Sequence, residues 1–307
     1  MKGWVDSKLL RLPVLTGCAN SISVDQWLPS GSQLSDNRLH LNYGPIDLLI
    51  DVDASESATV RAHSAARDAF DGVLESLVSE LALLRQAVNL GNVGPQGVVA
   101  RRMWHACLPH ATRFVTPMAA VAGAVADHTL NGIINTVPTL NRVWVNNGGD
   151  IAFMLADGQE TNVAVCGNDG TRSANIRLRA EHGVGGIATS GWRGRSHSFG
   201  VADSVTVLAP DAAAADVAAT LIANEVRLPT ESLDRHYVTR ASATELLPDS
   251  DLGAAKVTVA VSALEPEHRD AALQNGLTMA EQLITEAPIV GVFIECQGHS
   301  VSLGEYA

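Results

Sequence analysis

The sequence predicts an α+β fold in which antiparallel strands pack against long helices. Short strand-like stretches separated by turn signals fill the region from "RVWVNNGGDIAFML" onward. Long helical stretches rich in leucine or alanine stand on both sides of that region. Strands and helices do not alternate regularly, which argues against a parallel βαβ sheet. We expect residues 37–307 to form one domain and residues 1–36, rich in Ser, Pro and Gly, to be an irregular N-terminal segment.

The first predicted elements are a strand pair and a long helix. Leu39 and Leu41 alternate with polar residues, and a Gly-Pro turn separates them from the continuously apolar stretch Leu48–Ile50. The stretch Ser55–Val88 predicts one helix, because leucines recur at three-to-four-residue spacing and a serine can cap its start.

Two further helices precede the strand-rich region. A short helix is predicted around Val98–Cys107. The next spans Thr116–Ile134 and has proline at its first position, where no hydrogen bond is lost. Its Ala and Gly residues allow another backbone, or a ligand, to approach closely.

The strand-rich region is predicted to start at Arg142 with a strand, a tight turn and a second strand. "TNVAVCG", "ANIRLRA", "GVGGIATS", "SVTVLAP" and "KVTVAV" predict further strands. An alanine-rich helix follows "SVTVLAP", another helix spans Pro266–Glu286, and a strand pair closes the chain. A strand and helix occur near 38–89 and again near 204–226, so an internal duplication is also expected.

Composition and charge exclude several classes of protein. The formal net charge of −12 opposes binding to nucleic acid or to an anionic membrane surface. No apolar stretch is long enough for a transmembrane helix or a signal peptide, so we expect a cytoplasmic protein. The cysteines Cys18, Cys107, Cys166 and Cys296 form no CxxC pair, which argues against structural zinc and for reduced thiols.

The motif "NNGGD", Asn146–Asp150, is the first candidate for a ligand site. Asn-Gly and Gly-Gly are strong hairpin-turn signals, so a plain hairpin would explain the motif. Alternatively, Gly148 and Gly149 let a ligand touch the backbone while Asp150 supplies a hydrogen-bond acceptor.

The Gly-, Ser- and Thr-rich stretch Gly183–Gly200 is the second candidate. Bare backbone N–H groups beside hydroxyls suit a phosphate or a carboxylate, and Arg193 and Arg195 add positive charge. His197 could act as a base near neutral pH, and Asp203 could orient a group or cap a turn. Alternatively, the stretch is a flexible loop that has no function.

The alanine-rich helix carries the third candidate. Asp216 and Thr220 are four residues apart and therefore share a helix face. A carboxylate and a hydroxyl are hard oxygen ligands suited to Mg²⁺, although two side chains need waters or a phosphate to complete the coordination. The alternative is a local Asp–Thr hydrogen bond on a solvent-facing surface.

These motifs occur in the order found in the ApbE-like family, the FAD:protein FMN transferases. "VWVNNGGDI", "GIATSG", "SVTVLAP" and "ADVAAT" carry this resemblance. The chain resembles a smaller, uncharacterised cytoplasmic branch of that superfamily still more closely, through "LHLNYGPIDLLI", "TPMAAVAGAVAD", "SFGVADSVTVLAP", "ADVAATLIANEV" and "LLPDSDLG". The resemblance implies an ApbE-like layered fold of antiparallel sheets with packed helices. It also implies that Asp216 and Thr220 bind magnesium beside a flavin pyrophosphate. The chain departs from the transferases at "SHSFGVAD", which is shorter than their His-Ile-x-Asp-Pro motif, so the role of His197 is not carried over.

The leading hypothesis is an enzyme, a transferase or hydrolase, with a Mg²⁺-assisted site for FAD, FMN or another phosphorylated or anionic small molecule. Asp216 and Thr220 would hold the metal, and His197 and Asp203 would serve catalysis. The ligand would contact Thr116, Gly148, Gly149, Asp150, Thr189, Ser190, Gly191, Arg193 and Arg195.

Two alternatives remain open at this point. One is a metal-independent hydrolase or isomerase of a small carboxylate that uses Arg193, Arg195 and His197. The other is a non-catalytic ligand-binding protein on the same fold. In each case we expect a small-molecule partner and a homo-oligomer that packs through small-residue helices such as Met118–Ala126.

Overall fold

The computed structural model describes residues 29–166 and 172–304. Its strands, in chain order, are β1 (Ser30–Gln33), β2 (Leu39–Tyr43), β3 (Ile46–Asp53), β4 (Arg142–Asn147), β5 (Asp150–Leu155), β6 (Glu160–Cys166), β7 (Arg172–Arg179), β8 (Gly186–Ser190), β9 (Ser204–Ala209), β10 (Val238–Ser242), β11 (Lys256–Val261), β12 (Gly291–Cys296) and β13 (His299–Gly304). Its α-helices are α1 (Glu56–Phe70), α2 (Val73–Ser79), α3 (Leu81–Leu84), α4 (Val98–Cys107), α5 (Val121–Thr136), α6 (Ala212–Glu225), α7 (Glu231–Tyr237), α8 (Ala243–Leu246) and α9 (Pro266–Glu286).

A nine-stranded antiparallel sheet forms the centre of the fold. Its strand order is β1-β2-β3-β4-β5-β8-β9-β12-β13, and β6–β7 and β10–β11 form two small sheets of their own. Neighbouring strands of the large sheet pair antiparallel throughout, as in Val145 opposite Ala152 and Ala188 opposite Val207. The prediction of an α+β fold with antiparallel sheets is therefore confirmed.

The start of the sheet differs from its prediction. Ser30–Gln33 was expected to be irregular but pairs with Leu39–Asn42, so the sheet gains an edge strand there. Residues 1–28, the rest of the predicted irregular segment and the position of Cys18, lie outside the described ranges. The boundary of the predicted single domain and the predicted duplication stay predictions.

The predicted single helix over Ser55–Val88 is wrong. The helix ends at Phe70, and the chain resumes helical structure at Val73 and again at Leu81. Gly72 separates the first two pieces with φ +69°, a left-handed conformation that glycine adopts at little cost. Apolar residues keep helical spacing across this break, as in Ala66, Phe70 and Leu74, so periodicity alone does not reveal it.

Helices α5 and α6 form the layer that matters for the site. Helix α5 packs against α1, β4 and β5, and α6 packs against β8, β9 and α9. Most alanines of α6 are fully buried, so their small side chains allow close packing. At Gly123 a Cβ would overlap the Ala212 carbonyl and lie 2.8 Å from the Ala213 nitrogen. The close approach predicted for the small-residue helix therefore occurs, and it is to α6.

We expect Gly123→Ala to destabilise the protein by about 1–3 kcal/mol, because the added methyl collides with backbone atoms that cannot move independently. Urea denaturation of the variant and the wild type would measure the difference. Glycine to alanine within a helix ordinarily stabilises by about 1 kcal/mol, so a stabilised variant would show that the two helices are not in this contact.

Within residues 29–166 and 172–304, no helix has both the length and the apolar content needed to cross a membrane.

Candidate functional site

The predicted Gly-Gly-Asp turn is a two-residue hairpin between β4 and β5. Asn147 pairs with Asp150 across it, and Gly148 and Gly149 have φ values of +66° and +120°. Two consecutive positive φ values are typical of the type I′ turn, which glycine adopts without steric cost. The Gly149 N–H donates to the Asn146 side-chain oxygen at 2.8 Å. This bond fixes the turn to the end of β4, and the backbone of the two glycines stays exposed.

The side chain of Arg195 lies against this turn. A Cβ on Gly148 would overlap the guanidinium, at 2.7 Å from its Cζ and 3.5 Å from its Nε. The Arg195 charge favours the ionised form of Asp150. In the described part of the chain, no carboxylate lies within ion-pair distance of Arg195, so its hydrogen-bond donors are available to an anion.

Asp150 joins the turn to the Thr-Ser-Gly stretch at the end of β8. Its Oδ1 accepts a hydrogen bond from the Thr189 N–H at 3.2 Å. Burial raises the pKa of Asp150 to about 7, while the bond from Thr189 and the Arg195 charge oppose that rise. The Thr189 hydroxyl is 2.9 Å from the Thr206 hydroxyl on β9. Two of the motifs singled out in the sequence therefore meet at this carboxylate.

Asp216 brings the third motif to the same place. Its Oδ2 accepts a hydrogen bond from the Gly123 N–H at 3.1 Å, so the carboxylate caps the start of α5. Burial first, and then the charge of Asp150, raise the pKa of Asp216 well above its ordinary value. Asp150 and Asp216 are therefore two desolvated carboxylates close enough for their charges to interact.

Thr220 lies one turn further along α6 and is half-buried, like Asp216. No hydrogen bond between the two side chains is found among the described residues, and Asp216 bonds to α5 instead. Asp216 and Thr220 therefore lie on a partly buried face of α6, and not on a solvent-facing surface.

The sequence reasoning missed Asp127, which mirrors Asp216. Its Oδ1 and Oδ2 accept hydrogen bonds from the Ala212 and Ala213 N–H groups, each at 3.0 Å, and so cap the start of α6. Burial raises the pKa of Asp127 to about 6, and Arg102 lies 3.6 Å away. The available signal was a lone carboxylate in the apolar run "AVAGAVADHTL". Each helix therefore carries the carboxylate that caps the other.

Thr116 is buried near Asp216 but has a partner of its own. Its hydroxyl donates to Asp251 Oδ2 at 2.5 Å, and its carbonyl accepts from Cys107 Sγ at 3.4 Å. Burial and the charge of Asp216 raise the pKa of the Cys107 thiol. Asp251 belongs to the loop "LLPDSDLG", which the structure thus ties to the start of the α5 segment. Contact of Thr116 with a ligand stays a prediction.

Arg193 and Asp203 form an ion pair at the base of the Gly-rich loop. Arg193 Nε lies 2.6 Å from Asp203 Oδ1, and Asp203 Oδ2 accepts the Gln297 N–H at 2.5 Å. The Arg193–Asp203 pair joins the two ends of the loop, and the bond from Gln297 attaches Asp203 to the turn between β12 and β13. Asp203 therefore anchors the loop in this structure. Half-buried His197 lies between them in sequence. Catalytic functions for His197 and Asp203 stay predictions.

The Thr-Ser-Gly stretch ends in a close backbone contact. Ser190 is buried and pairs with Val205 of β9. Gly191 has φ +152°, and a Cβ there would lie 2.5 Å from the Asp203 carbonyl oxygen. Glycine is therefore required where the loop leaves the sheet, whether or not it touches a ligand.

Comparison with known proteins gives a family match over most of the chain. A family model described as AbpE bacteria matches residues 26–302. The UPF0280 protein MK0206 of Methanopyrus kandleri is 32% identical over 183 residues, which cover 58% of this chain and 69% of that protein. A UPF0280 protein of Methanoregula boonei is 36% identical over 117 residues, or 37% of this chain and 48% of that protein. The chain spans about half the length of the first curated relatives that it matches.

Two solved structures align with most of the chain. The flavin transferase ApbE from Vibrio cholerae aligns with a TM-score of 0.39 at 11% identity, over 90% of this chain and 96% of that chain. The Pseudomonas stutzeri flavinyl transferase ApbE, apo form, aligns with a TM-score of 0.39 at 10% identity, over 90% and 94%.

Proposed function

The chain belongs to the AbpE bacteria family, and on that premise we propose that it is an enzyme with a Mg²⁺-assisted site for a flavin nucleotide. The predicted ApbE-like resemblance is confirmed by this membership. The observation that carries the proposal is the pair of carboxylates Asp150 and Asp216, which accept the Thr189 and Gly123 N–H groups and lie close enough for the charge of Asp150 to raise the pKa of Asp216. A bound divalent cation would offset the repulsion between them and keep both groups ionised.

The side chains proposed for this site have the donor chemistry that magnesium prefers. Asp216 and Asp150 offer carboxylate oxygens and Thr220 offers a hydroxyl, which are hard ligands. The described residues contain no group of three or more His, Cys, Asp or Glu side chains arranged around one metal position. A site with one or two carboxylates is typical of Mg²⁺ that is completed by waters and substrate phosphates. The metal would neutralise charge on the phosphate oxygens.

The pyrophosphate of the nucleotide would lie against the hairpin turn. The Arg195 guanidinium supplies the positive charge there, in a chain whose net charge of −12 otherwise repels phosphate. The exposed backbone of Gly148 and Gly149 allows an oxygen to approach more closely than any side chain would permit. Arg193 contributes less, because its charge is already paired with Asp203.

The reaction that this arrangement favours is cleavage of the flavin pyrophosphate. Transfer of FMN to a hydroxyl group and hydrolysis of FAD by water both release AMP, and they differ only in the acceptor. Mass spectrometry separates them, because transfer leaves FMN bound to the acceptor whereas hydrolysis leaves free FMN.

The proposal is tested by calorimetry of the full chain with FAD, first with Mg²⁺ and then with EDTA. We expect saturable binding with Mg²⁺ and a loss of at least about tenfold in affinity with EDTA, since Asp150, Asp216 and Thr220 would hold a metal that offsets the negative charge of the phosphates. Absence of FAD binding in both conditions would contradict the flavin proposal. Equal binding in both would contradict the metal and favour the metal-independent alternative.

A further inference from the structure

A cavity lies between α4, the start of α6 and the segment that follows α9. Its volume is about 550 Å³, within the range of about 300–1,000 Å³ that is typical of small-molecule sites. Apolar side chains from all three segments line it, among them Ala106, Ala214 and Pro288. The cavity is therefore suited to a ligand with an apolar body.

The charged side chains of this cavity are mainly basic. Arg101, Arg102 and His105 of α4 line it, and Arg101 and His105 share a helix face because they are four residues apart. The single acidic residue in the lining is Asp211, whose carboxylate accepts the Ala214 N–H at 2.8 Å. Over residues 29–166 and 172–304, no ion pair is found for Arg101. Arg102 lies 3.6 Å from Asp127, so Arg101 is the lining arginine whose charge no described carboxylate offsets.

His110 adds an unsatisfied polar group to the wall. It is only 2% exposed, and its Nδ1 makes no hydrogen bond with any described residue. The nearest carboxylate, Glu286, is 3.8 Å from that nitrogen, beyond hydrogen-bond distance. Because that nitrogen has almost no accessible surface, a ligand in the cavity would not reach it, and the proposed contacts do not include it.

We propose that this cavity binds an organic phosphate, with the phosphate on the side chains of Arg101, Arg102 and His105 and an apolar group against the alanine and proline walls. Guanidinium groups pair with phosphate through two parallel hydrogen bonds, which gives both charge and orientation. The cavity is separate from the proposed flavin site, because none of Asp150, Thr189, Arg195 and Asp216 lines it. Its closest link to that site is Arg102, 3.6 Å from the helix-capping Asp127.

The test is calorimetry of the full chain with phenyl phosphate, in EDTA so that a metal site does not contribute. We expect saturable binding to the wild type, tighter than that of inorganic phosphate or of phenol. Arg101→Gln should weaken it by about tenfold or more, because a charge-assisted hydrogen bond is lost. Arg101 is exposed, so the variant should fold, and far-UV circular dichroism would verify this.

Two control variants locate the binding. Arg235→Gln removes an exposed arginine of α7, remote from the cavity, and should leave the affinity unchanged. Asp216→Asn alters the proposed flavin site and should also leave it unchanged, so failure of one proposal is distinguishable from failure of the other. Equal affinity in wild type and Arg101→Gln, or loss of binding in Asp216→Asn, would overturn the inference.

Discussion

Replacing Asp216 with asparagine is expected to weaken Mg²⁺-dependent FAD binding by more than about 100-fold. Mutation of a residue that only hydrogen-bonds to a metal ligand costs about 10–100-fold in affinity, and loss of a ligand itself should cost more. Asparagine has the shape of aspartate and can still accept the Gly123 N–H, so the start of α5 keeps its cap. It removes one of two desolvated charges that repel each other. The free energy of unfolding without metal should therefore be equal to that of the wild type or higher.

FAD affinity and the free energy of unfolding together show whether Asp216 holds the metal or only caps the helix. Calorimetry with FAD and Mg²⁺ measures the affinity, and urea denaturation in EDTA measures the free energy of unfolding. Glu225→Gln makes the same charge change at the far end of α6 and should alter neither. A destabilised Asp216→Asn protein that binds FAD normally would show that the carboxylate serves only as a cap, and the proposed metal position would be wrong.

The second large effect is expected at Asp127, on stability. Asp127→Ala should lower the free energy of unfolding by about 2–4 kcal/mol, because two buried N–H groups lose their only acceptors and each such loss costs about 1–3 kcal/mol. Asp211→Ala is a matched control at the same helix end. It removes one bond, to the Ala214 N–H, and should cost about 1 kcal/mol. Urea denaturation of both variants measures their losses of unfolding free energy, and equal losses would contradict the prediction.

The pH profile gives an independent measure of Asp127. Burial raises the pKa of this group to about 6 from its ordinary 3.8, so the folded chain holds the proton more tightly than the unfolded chain. Its contribution to stability therefore falls as the pH rises from about 4 to 6. Asp127→Asn cannot titrate, and its stability profile should be flatter over that window.

The sequence predicted best the elements whose signals are local. The Pro266–Glu286 helix, the Gly44-Pro45 turn and the Asn-Gly-Gly-Asp hairpin each depend on neighbouring residues, and each occurs as predicted. The break at Gly72 was missed because apolar residues keep helical spacing across it, as in Ala66, Phe70 and Leu74. Backbone conformation at one glycine can override periodicity, and the pattern does not record it.

The candidate site was predictable in its parts and less so in its contacts. The motif order indicated that the hairpin turn, the Thr-Ser-Gly stretch and the α6 helix would be close, and the structure joins them through Asp150 and Asp216. The partners of Asp127 and Thr116 are set by tertiary packing between distant segments, for which a single sequence offers no signal. A homo-oligomer and a cytoplasmic location also stay predictions.

The exchange of caps between α5 and α6 has a consequence for how the chain folds. The Asp127 carboxylate and the Ala212 N–H that it accepts are 85 residues apart, so neither helix start is complete until both have docked. Nucleation of each helix is costly on its own, and each docking event removes part of that cost for the other. The same docking holds the Asp216 carboxylate at the start of α5. Assembly of this helix layer and positioning of that carboxylate are therefore coupled as the chain folds.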